Sequence, residues 1–310
     1  MIKNLNYIKK IKIKDKGKFM ENQDEVVLID AHNLIYRAFF GNKNKLTNHN
    51  NLPTNAIYTT ITMLKKIENT FQNMKYCLVV YDSPKKSFRE EISDDYKAQR
   101  APMPDDLKIQ LPFIKEAINI LGWPTLEIES VEADDVLATF ASRSSIKGFK
   151  TYIISGDKDF RQLINDNLVV VDTMKDIYYD EATVLEKMEI PSKYVIDYLS
   201  LIGDSSDNVA GVDKVGPKTA VKLLNEYQGL AGIQANLEKI KGVVGENLKK
   251  AFESGMIEKN ISLITLKKDL PLSLTAKELS KKPLLEPEWI EFCETMNFNS
   301  FLKKGMKPTV

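Results

Sequence analysis

Residues 26–30 spell VVLID, four apolar residues closed by a carboxylate. The pattern returns at YCLVVYD (76–82), TYIISGD (151–157) and LVVVD (168–172). Between these runs lie helical patterns at NAIYTTITMLKKIENTF (55–71), LKIQLPFIKEAINILG (107–122) and DDVLATFASRSSIKG (134–148). Strands alternating with long helices predict an α/β fold, a mostly parallel central sheet with helices on both faces. In open sheets of this kind ligands bind beyond the carboxyl ends of the strands. Asp30, Asp82 and Asp157 stand at such ends, so three distant segments are expected to deliver acids to one rim.

The start of the third helical pattern, ESVEADDVLAT (129–139), packs Glu129, Glu132, Asp134 and Asp135 together without a Lys or Arg. Acids in a first helical turn meet the positive end of the helix dipole, which is commonplace. On a helical wheel Ala133, Val136, Leu137 and Phe140 form the apolar arc, and Glu132, Asp134 and Asp135 cover the opposite one. These acids therefore face solvent or a site, and helical geometry leaves both open.

The 310 residues carry 44 basic and 43 acidic side chains, so any basic surface must be local. That length accommodates one large domain or a larger and a smaller one. Cys77 and Cys293 stand apart with no CxxC or Cys/His cluster, which speaks against a disulfide framework or a zinc site and for a reducing compartment. No apolar run reaches the roughly 18 residues of a membrane span, and no signal-peptide pattern opens the chain. A soluble, cytoplasmic protein is expected. Residues 1–25 are Lys-rich without Arg and are expected to be a disordered basic extension outside the fold, with initiation at Met20 an alternative. His32 and His49 are expected to have structural or surface roles.

After residue 190 the texture changes to KYVIDYLSLIGDSSDNVAGVDKVGPKTAVKLLNEYQG (193–229). A helix ends at Gly203, a polar loop holds Asp204 and Asp207, and a turn around Gly211 and Gly216 leads into a helix with Pro217 at its first position. Lys214, Lys218 and Lys222 recur every fourth residue. A solvated stripe is the ordinary meaning of such spacing, but backbone N–H groups at the helix start also attract phosphate. Residues 84–100, PKKSFREEISDDYKAQR, form a long polar connection carrying Lys85, Lys86, Arg89, Lys97 and Arg100, with Phe88 and Tyr96 between. That mixture suits a nucleic-acid backbone with stacking on a base, while Glu90, Glu91, Asp94 and Asp95 leave a merely solvated lid open.

Five segments taken in order, IDAHNLIYRAFF, VVYDSPKKSFREEISDDYKAQRAPMPDDL, VEADDVLATFA, ISGDKDFRQL and IGDSSDNVAGVDKVGPKTA, resemble the 5′ nuclease domain of bacterial DNA polymerase I, a relative of the flap endonucleases. The resemblance runs from about residue 26 to WIEFCETMNFNSFLKK near the end. It implies a PIN-like α/β nuclease domain over residues 26–190 and a helical C-terminal region over 191–310. Residues 84–106 would arch over a single-stranded 5′ flap, and residues 203–225 would form a helix-hairpin-helix on the downstream duplex.

By the same resemblance a first metal site is formed by Asp30, Asp82, Glu132 and Asp134, with Asp135 beside them, and a second by Asp157, Asp159, Asp204 and Asp207. Lys97 and Arg100 would contact the scissile phosphate and Arg37 a further one. The connection's Lys85, Lys86, Arg89 and Tyr96 would bind DNA, as would Gly211, Lys214, Gly216, Lys218, Thr219 and Lys222 of the hairpin. Lys214 stands where the family usually has Gly, a departure that bears on close backbone approach and on a monovalent cation at the hairpin.

Hard oxygen ligands without His or Cys suit Mg²⁺ or Mn²⁺, and two such ions about 4 Å apart serve in-line attack on phosphorus. The implied activity is that of a two-Mg²⁺ 5′-3′ exonuclease and flap endonuclease, with Mn²⁺ able to substitute. It would use water as nucleophile to remove flaps and primers in replication and repair. Implied partners are DNA with a 5′ flap or 5′ end, an RNA-DNA hybrid and a separate DNA polymerase, with the chain a monomer. A non-catalytic DNA-binding protein would lack acids that are present here, and a haloacid-dehalogenase-type phosphatase would need a second Asp that IDAHNL lacks. A related nuclease acting on RNA stays open, because phosphate contacts carry no sequence information.

Overall fold

The computed structural model describes residues 24–42, 44 and 46–303. Six strands, β1 (Glu25–Asp30), β2 (Met74–Tyr81), β3 (Thr125–Glu127), β4 (Lys150–Ile154), β5 (Leu168–Asp172) and β6 (Ile177–Tyr179), form one sheet in the order β3-β2-β1-β4-β5-β6. Every pair is parallel except β5 with β6. All of β4 and β5 is buried, which is why these segments show unbroken apolar runs instead of alternation.

From β1 the chain steps outward to β2 and β3, then returns to the other side of β1 for β4, β5 and β6. The reversal places a topological switch point between β1 and β4, where carboxyl ends part and leave a crevice. Asp30 ends β1, and Asp157 follows β4 by three residues.

One face is covered by α1 (Ala31–Gly41), α2 (Asn55–Thr70) and α5 (Leu111–Ile120), whose Leu34, Ile61 and Ile114 meet Val27, Val79 and Ile154 of the sheet. Two short helices, α3 (Phe88–Ile92) and α4 (Asp105–Lys108), lie in the connection after β2. The other face is covered by α6 (Ala133–Ile146), which buries Val136, Leu137 and Phe140 against Leu28, Val80 and Ile153. The helix expected over 107–122 is divided, because Pro112 in the first turn of α5 cannot donate backward and Gln110 turns its side chain into the core. There Gln110 Oε1 accepts from Ala56 N at 2.9 Å and Nε2 donates to Asp106 O at 2.7 Å.

Beyond β6 come α7 (Glu181–Met188), α8 (Val195–Ile202), the two-stranded β7 (Gly203–Asp204) and β8 (Val209–Ala210), and then α9 (Pro217–Tyr227), α10 (Leu230–Ala235), α11 (Gly242–Glu253) and α12 (Met256–Ile264). Helices α8 to α12 share a core that includes Leu201, Val212, Leu224, Leu248 and Ile257. The helix α13 (Glu286–Thr295) returns to the first face of the sheet through Trp289 and Phe292, and α14 (Asn299–Lys303) ends the described chain. Of the N-terminal extension, residues 1–23 lie outside the described residues, and Glu25 already belongs to β1.

Candidate metal centre

Asp30 does two jobs at the end of β1. Its Oδ1 accepts from Asn33 N at 3.0 Å and caps α1, so strand passes into helix with no loop between. Its Oδ2 accepts from Ser155 Oγ at 2.9 Å, which joins the ends of β1 and β4 across the switch point. The same hydroxyl accepts from Asp157 N at 3.1 Å. From the next strand Asp82 accepts from Ala133 N at 2.8 Å and so receives the N-terminus of α6, the helix that carries Asp134. Backbone geometry thus brings Asp30, Asp82, Asp134 and Asp157 to one crevice.

Their charges act on one another. Burial, then the charges of Asp82 and Asp157, push the Asp30 carboxyl up to about 6. Burial and the charges of Asp30, Asp157 and Asp82 raise Asp134 well above the carboxylate range. Asp157 is raised by burial and by Asp207 and Asp204, so it belongs to both groups of acids. Asp159 is raised well above its ordinary value by burial and by Asp157, Asp204 and Asp207. Its Oδ1 is buried without a hydrogen-bond partner. Among the described residues, ligand oxygens of Asp159, Asp204 and Asp207 all lie within 4.8 Å of one another.

Other acids of the set face basic side chains. His32 Nδ1 lies 3.2 Å from Asp82 Oδ2, and although burial raises Asp82, this contact brings it below its usual value. His32 was set aside in the sequence; its approach to Asp82 follows from a place on the first turn of α1, beside the end of β2. Lys97 Nζ is 2.8 Å from Glu132 Oε2, whose other oxygen accepts from Ser87 Oγ at 2.5 Å. Burial raises Glu132 but Lys97 and Arg89 more than reverse it. Arg100 reaches Asp207 at 2.7 Å, and Lys158 reaches Asp204 at 2.8 Å.

Three expectations are corrected. Arg89 is not a surface phosphate ligand, since its guanidinium is 1 % exposed and makes a bidentate pair with Asp135 at 2.7 and 2.9 Å. It also donates to the carbonyls of Leu263 and Thr265 at the end of α12. Asp135 is spent on that pair: its side chain is 1 % exposed, against 11 % for Glu132 and 13 % for Asp207, both oxygens bind Arg89, and Oδ1 also accepts from Lys267 N. Tyr96 cannot stack on a base, because it is 5 % exposed and its hydroxyl donates to Asp207 at 2.9 Å. Burial and the charges of Glu132 and Asp207 push its phenol strongly upward, which keeps it a donor.

The connection expected to arch over a flap is anchored near its middle. Between α3 and α4, Lys97 N donates to Asp207 O and Asn208 Nδ2 donates to Asp95 O, so residues 95–97 are fastened to the loop after β7. Lys85 and Lys86 remain exposed, with Lys85 paired to Glu129.

Arg37 sits at the rim with its guanidinium on Asp172, a partner the sequence did not single out. A Cβ on Gly156 would come within 3.1 Å of that guanidinium, so the glycine of ISGD makes its room. At the hairpin, a Cβ on Gly211 would meet Ile202 O at 2.2 Å. Gly216 is the exposed N-cap of α9, followed by exposed Lys218, half-buried Thr219 and exposed Lys222. Lys214 adopts φ +62°, a left-handed conformation that explains why glycine suits the position.

The sequence matches the 5′-3′ exonuclease N-terminal resolvase-like domain over residues 25–189 and the 5′-3′ exonuclease C-terminal SAM fold over residues 190–286. It is 38% identical over 255 residues to a 5′-3′ exonuclease of Aquifex aeolicus, covering 82% of this chain and 86% of that one. Against DNA polymerase I of Caldicellulosiruptor bescii it is 35% identical over 288 residues, 90% of this chain but 33% of that protein. The chain thus spans about a third of the polymerase's length. The fold is shared with a bacteriophage T5 flap endonuclease solved as a pseudo-enzyme-product complex with DNA and metal ions, at a TM-score of 0.64 and 22% identity over 77% of this chain and 88% of that one. The chain belongs to the 5′-3′ exonuclease family of nucleases, and the acids gathered at its switch point stand in a phosphodiester hydrolase.

Proposed function

We propose that this chain is a divalent-metal-dependent nuclease that cuts DNA at 5′ flap junctions and trims 5′ ends. The observation that carries the reading is the crevice itself, where ligand oxygens of Asp159, Asp204 and Asp207 lie within 4.8 Å of one another, Asp159 Oδ1 is buried without a partner, and Asp30, Asp157 and Asp82 oppose the ionisation of Asp134. Clustered carboxylates with depressed acidity and an orphaned oxygen fit hard cations, and an all-oxygen donor set favours Mg²⁺ or Mn²⁺. Asp30, Asp82, Glu132 and Asp134 would hold one ion, and Asp157, Asp159, Asp204 and Asp207 a second. Bound there, the ions would supply Lewis acidity at phosphorus and a water of lowered pKa.

The chain's own residues do the rest. Lys97 and Arg100, held near the acids by Glu132 and Asp207, present cations to the reacting phosphate and stabilise charge that grows in the transition state. Tyr96 anchors the backbone just before them by its bond to Asp207. The water oxygen gives up a proton as it adds to phosphorus, the bond to the leaving oxygen breaks with its electron pair on that oxygen, which takes a proton to end as a hydroxyl, and no side chain becomes covalently attached. Arg37, aimed by Asp172, would hold a neighbouring phosphate, and the exposed start of α9 with Lys214, Lys218, Thr219 and Lys222 would hold the duplex backbone by charge and backbone N–H groups. Contacts of this kind also admit an RNA segment paired to DNA.

The test is cleavage of a 5′-labelled flap duplex with Mg²⁺, Mn²⁺ or EDTA, run beside the matching single strand and blunt duplex. A short flap product released only with metal is expected. Tight flap binding with no cleavage under either metal would show a binding protein instead.

A further inference from the structure

Lys158 lies in sequence between Asp157 and Asp159, yet its side chain reaches past both to Asp204, with Nζ 2.8 Å from Oδ1. The two partners differ in freedom: the lysine side chain is 35% exposed and the Asp204 carboxylate 3%. Asp204 Oδ1 is further held by Ser206, from N at 2.9 Å and from Oγ at 2.5 Å. The carboxylate is thus fixed in place, while the ammonium has an open way to solvent. In the same group Arg100 and Tyr96 face Asp207, whereas among the described residues no Lys or Arg pairs with Asp157 or Asp159 as closely.

A lysine rather than an arginine suits a contact that must be released. Its ammonium is a strongly hydrated point charge on a flexible stem and makes no bidentate fork with a carboxylate. Asp204 is also one of the three acids whose ligand oxygens converge within 4.8 Å, so a cation bound there and the lysine cannot share its charge fully. We propose that Lys158 is a built-in counter-ion of the second carboxylate group, competing with a divalent cation for Asp204 and thereby holding the second ion's affinity below the first's. This rests on the reading of the crevice as a metal centre. The consequence is graded occupancy: at intermediate metal concentration the group around Asp30 and Asp134 fills first, and the group around Asp204 fills only as the lysine swings out.

Lys158→Met keeps the apolar stem and removes the charge. Mn²⁺ binding to the whole chain is titrated calorimetrically and by electron paramagnetic resonance, and thermal unfolding is followed with and without Mn²⁺. The weaker binding event should tighten by roughly ten-fold, the order expected for removing one screened neighbouring charge, while the tighter event moves little. Lys158→Arg, which keeps the charge, should leave the weaker event weak. The melting temperature of Lys158→Met should fall in EDTA, where Asp204 is left unpaired, and recover with Mn²⁺; a lysine that merely packs would lower it equally in both. An unchanged or weakened second event in folded Lys158→Met, or a loss of DNA affinity in its place, would overturn the proposal. No Mn²⁺ uptake by the unaltered chain would refute the metal centre itself, a failure distinct from the first.

Discussion

Asp134 is a carboxylate among carboxylates, and at residue scale that fact has two opposite effects. Burial and the charges of Asp30, Asp157 and Asp82 oppose its ionisation, so the amide of Asp134→Asn relieves the fold of repulsion while removing a ligand from the proposed centre. Turnover on a flap duplex with Mg²⁺ should drop by at least about 100-fold, and the melting temperature in EDTA should rise. Equal turnover in a folded variant would remove Asp134 from the ligand set. Lys214 offers a cleaner backbone test. At φ +62° a Cβ crowds the following carbonyl, and a non-glycine residue there carries a cost on the order of 1 kcal/mol. Lys214→Gly should therefore stabilise the chain by about 1 kcal/mol in a denaturant titration, while the lost charge weakens duplex binding and lowers its salt dependence. A loss of stability would show that the lysine makes a compensating contact.

At the scale of elements, the connection after β2 shows what could be read from the sequence and what could not. Its acids and bases were visible, and its length marked it as functional or disordered. Nothing in SFREEISDDYKAQR distinguishes Arg89, which is buried, from Arg100, half of whose side chain is exposed, because the difference lies in partners far along the chain. Arg89 finds Asp135 on α6 and two carbonyls at the end of α12, and so ties α3 to both. The same clamp hides Asp135 among neighbours that look alike in EADD: a helix places adjacent acids on different azimuths, and only tertiary packing decides which one meets the crevice. Asp135→Ala removes the bidentate partner of a buried guanidinium, leaving it Glu132 at 3.4 Å and two carbonyls, and should cost about 3 kcal/mol of stability, measured by chemical denaturation. Mn²⁺ affinity of the folded fraction should stay within a few-fold of the unaltered chain. Reduced metal affinity with stability intact would return Asp135 to the ligands.

For the whole molecule, four of the sheet's six strands were legible, the three-residue β3 and β6 were not, and neither was the order. VVLID, YCLVVYD, TYIISGD and LVVVD announce themselves because burial on both faces demands unbroken apolar runs, but the order β3-β2-β1-β4-β5-β6 is set by pairing and crossover geometry that no local pattern records. That order turns scattered acids into one charged crevice, and the crevice makes stability depend on pH in a definite direction. Asp30 is pushed up to about 6 in the fold, against an ordinary carboxyl of about 3.9. Between those values the unfolded chain has lost a proton that the folded chain keeps, so stability falls as pH rises through the interval and stays lower above it. Asp134, Asp157 and Asp159 are raised too, and His32, lowered by burial but raised more by Asp82, acts in the same sense. Asp82, Glu132 and Asp204 are shifted down and contribute oppositely, but their stabilisation is lost only as pH drops below the usual carboxylate range. In EDTA the chain should therefore melt higher at about pH 5.5 than at about pH 7.5. Added Mg²⁺ should reverse the order, because the ion binds the deprotonated acids and protons compete with it below about pH 6. Thermal unfolding at the two pH values, with and without Mg²⁺, checks both halves; metal-free stability that is flat or increasing across this range would show that the acids do not crowd one another as the crevice geometry requires.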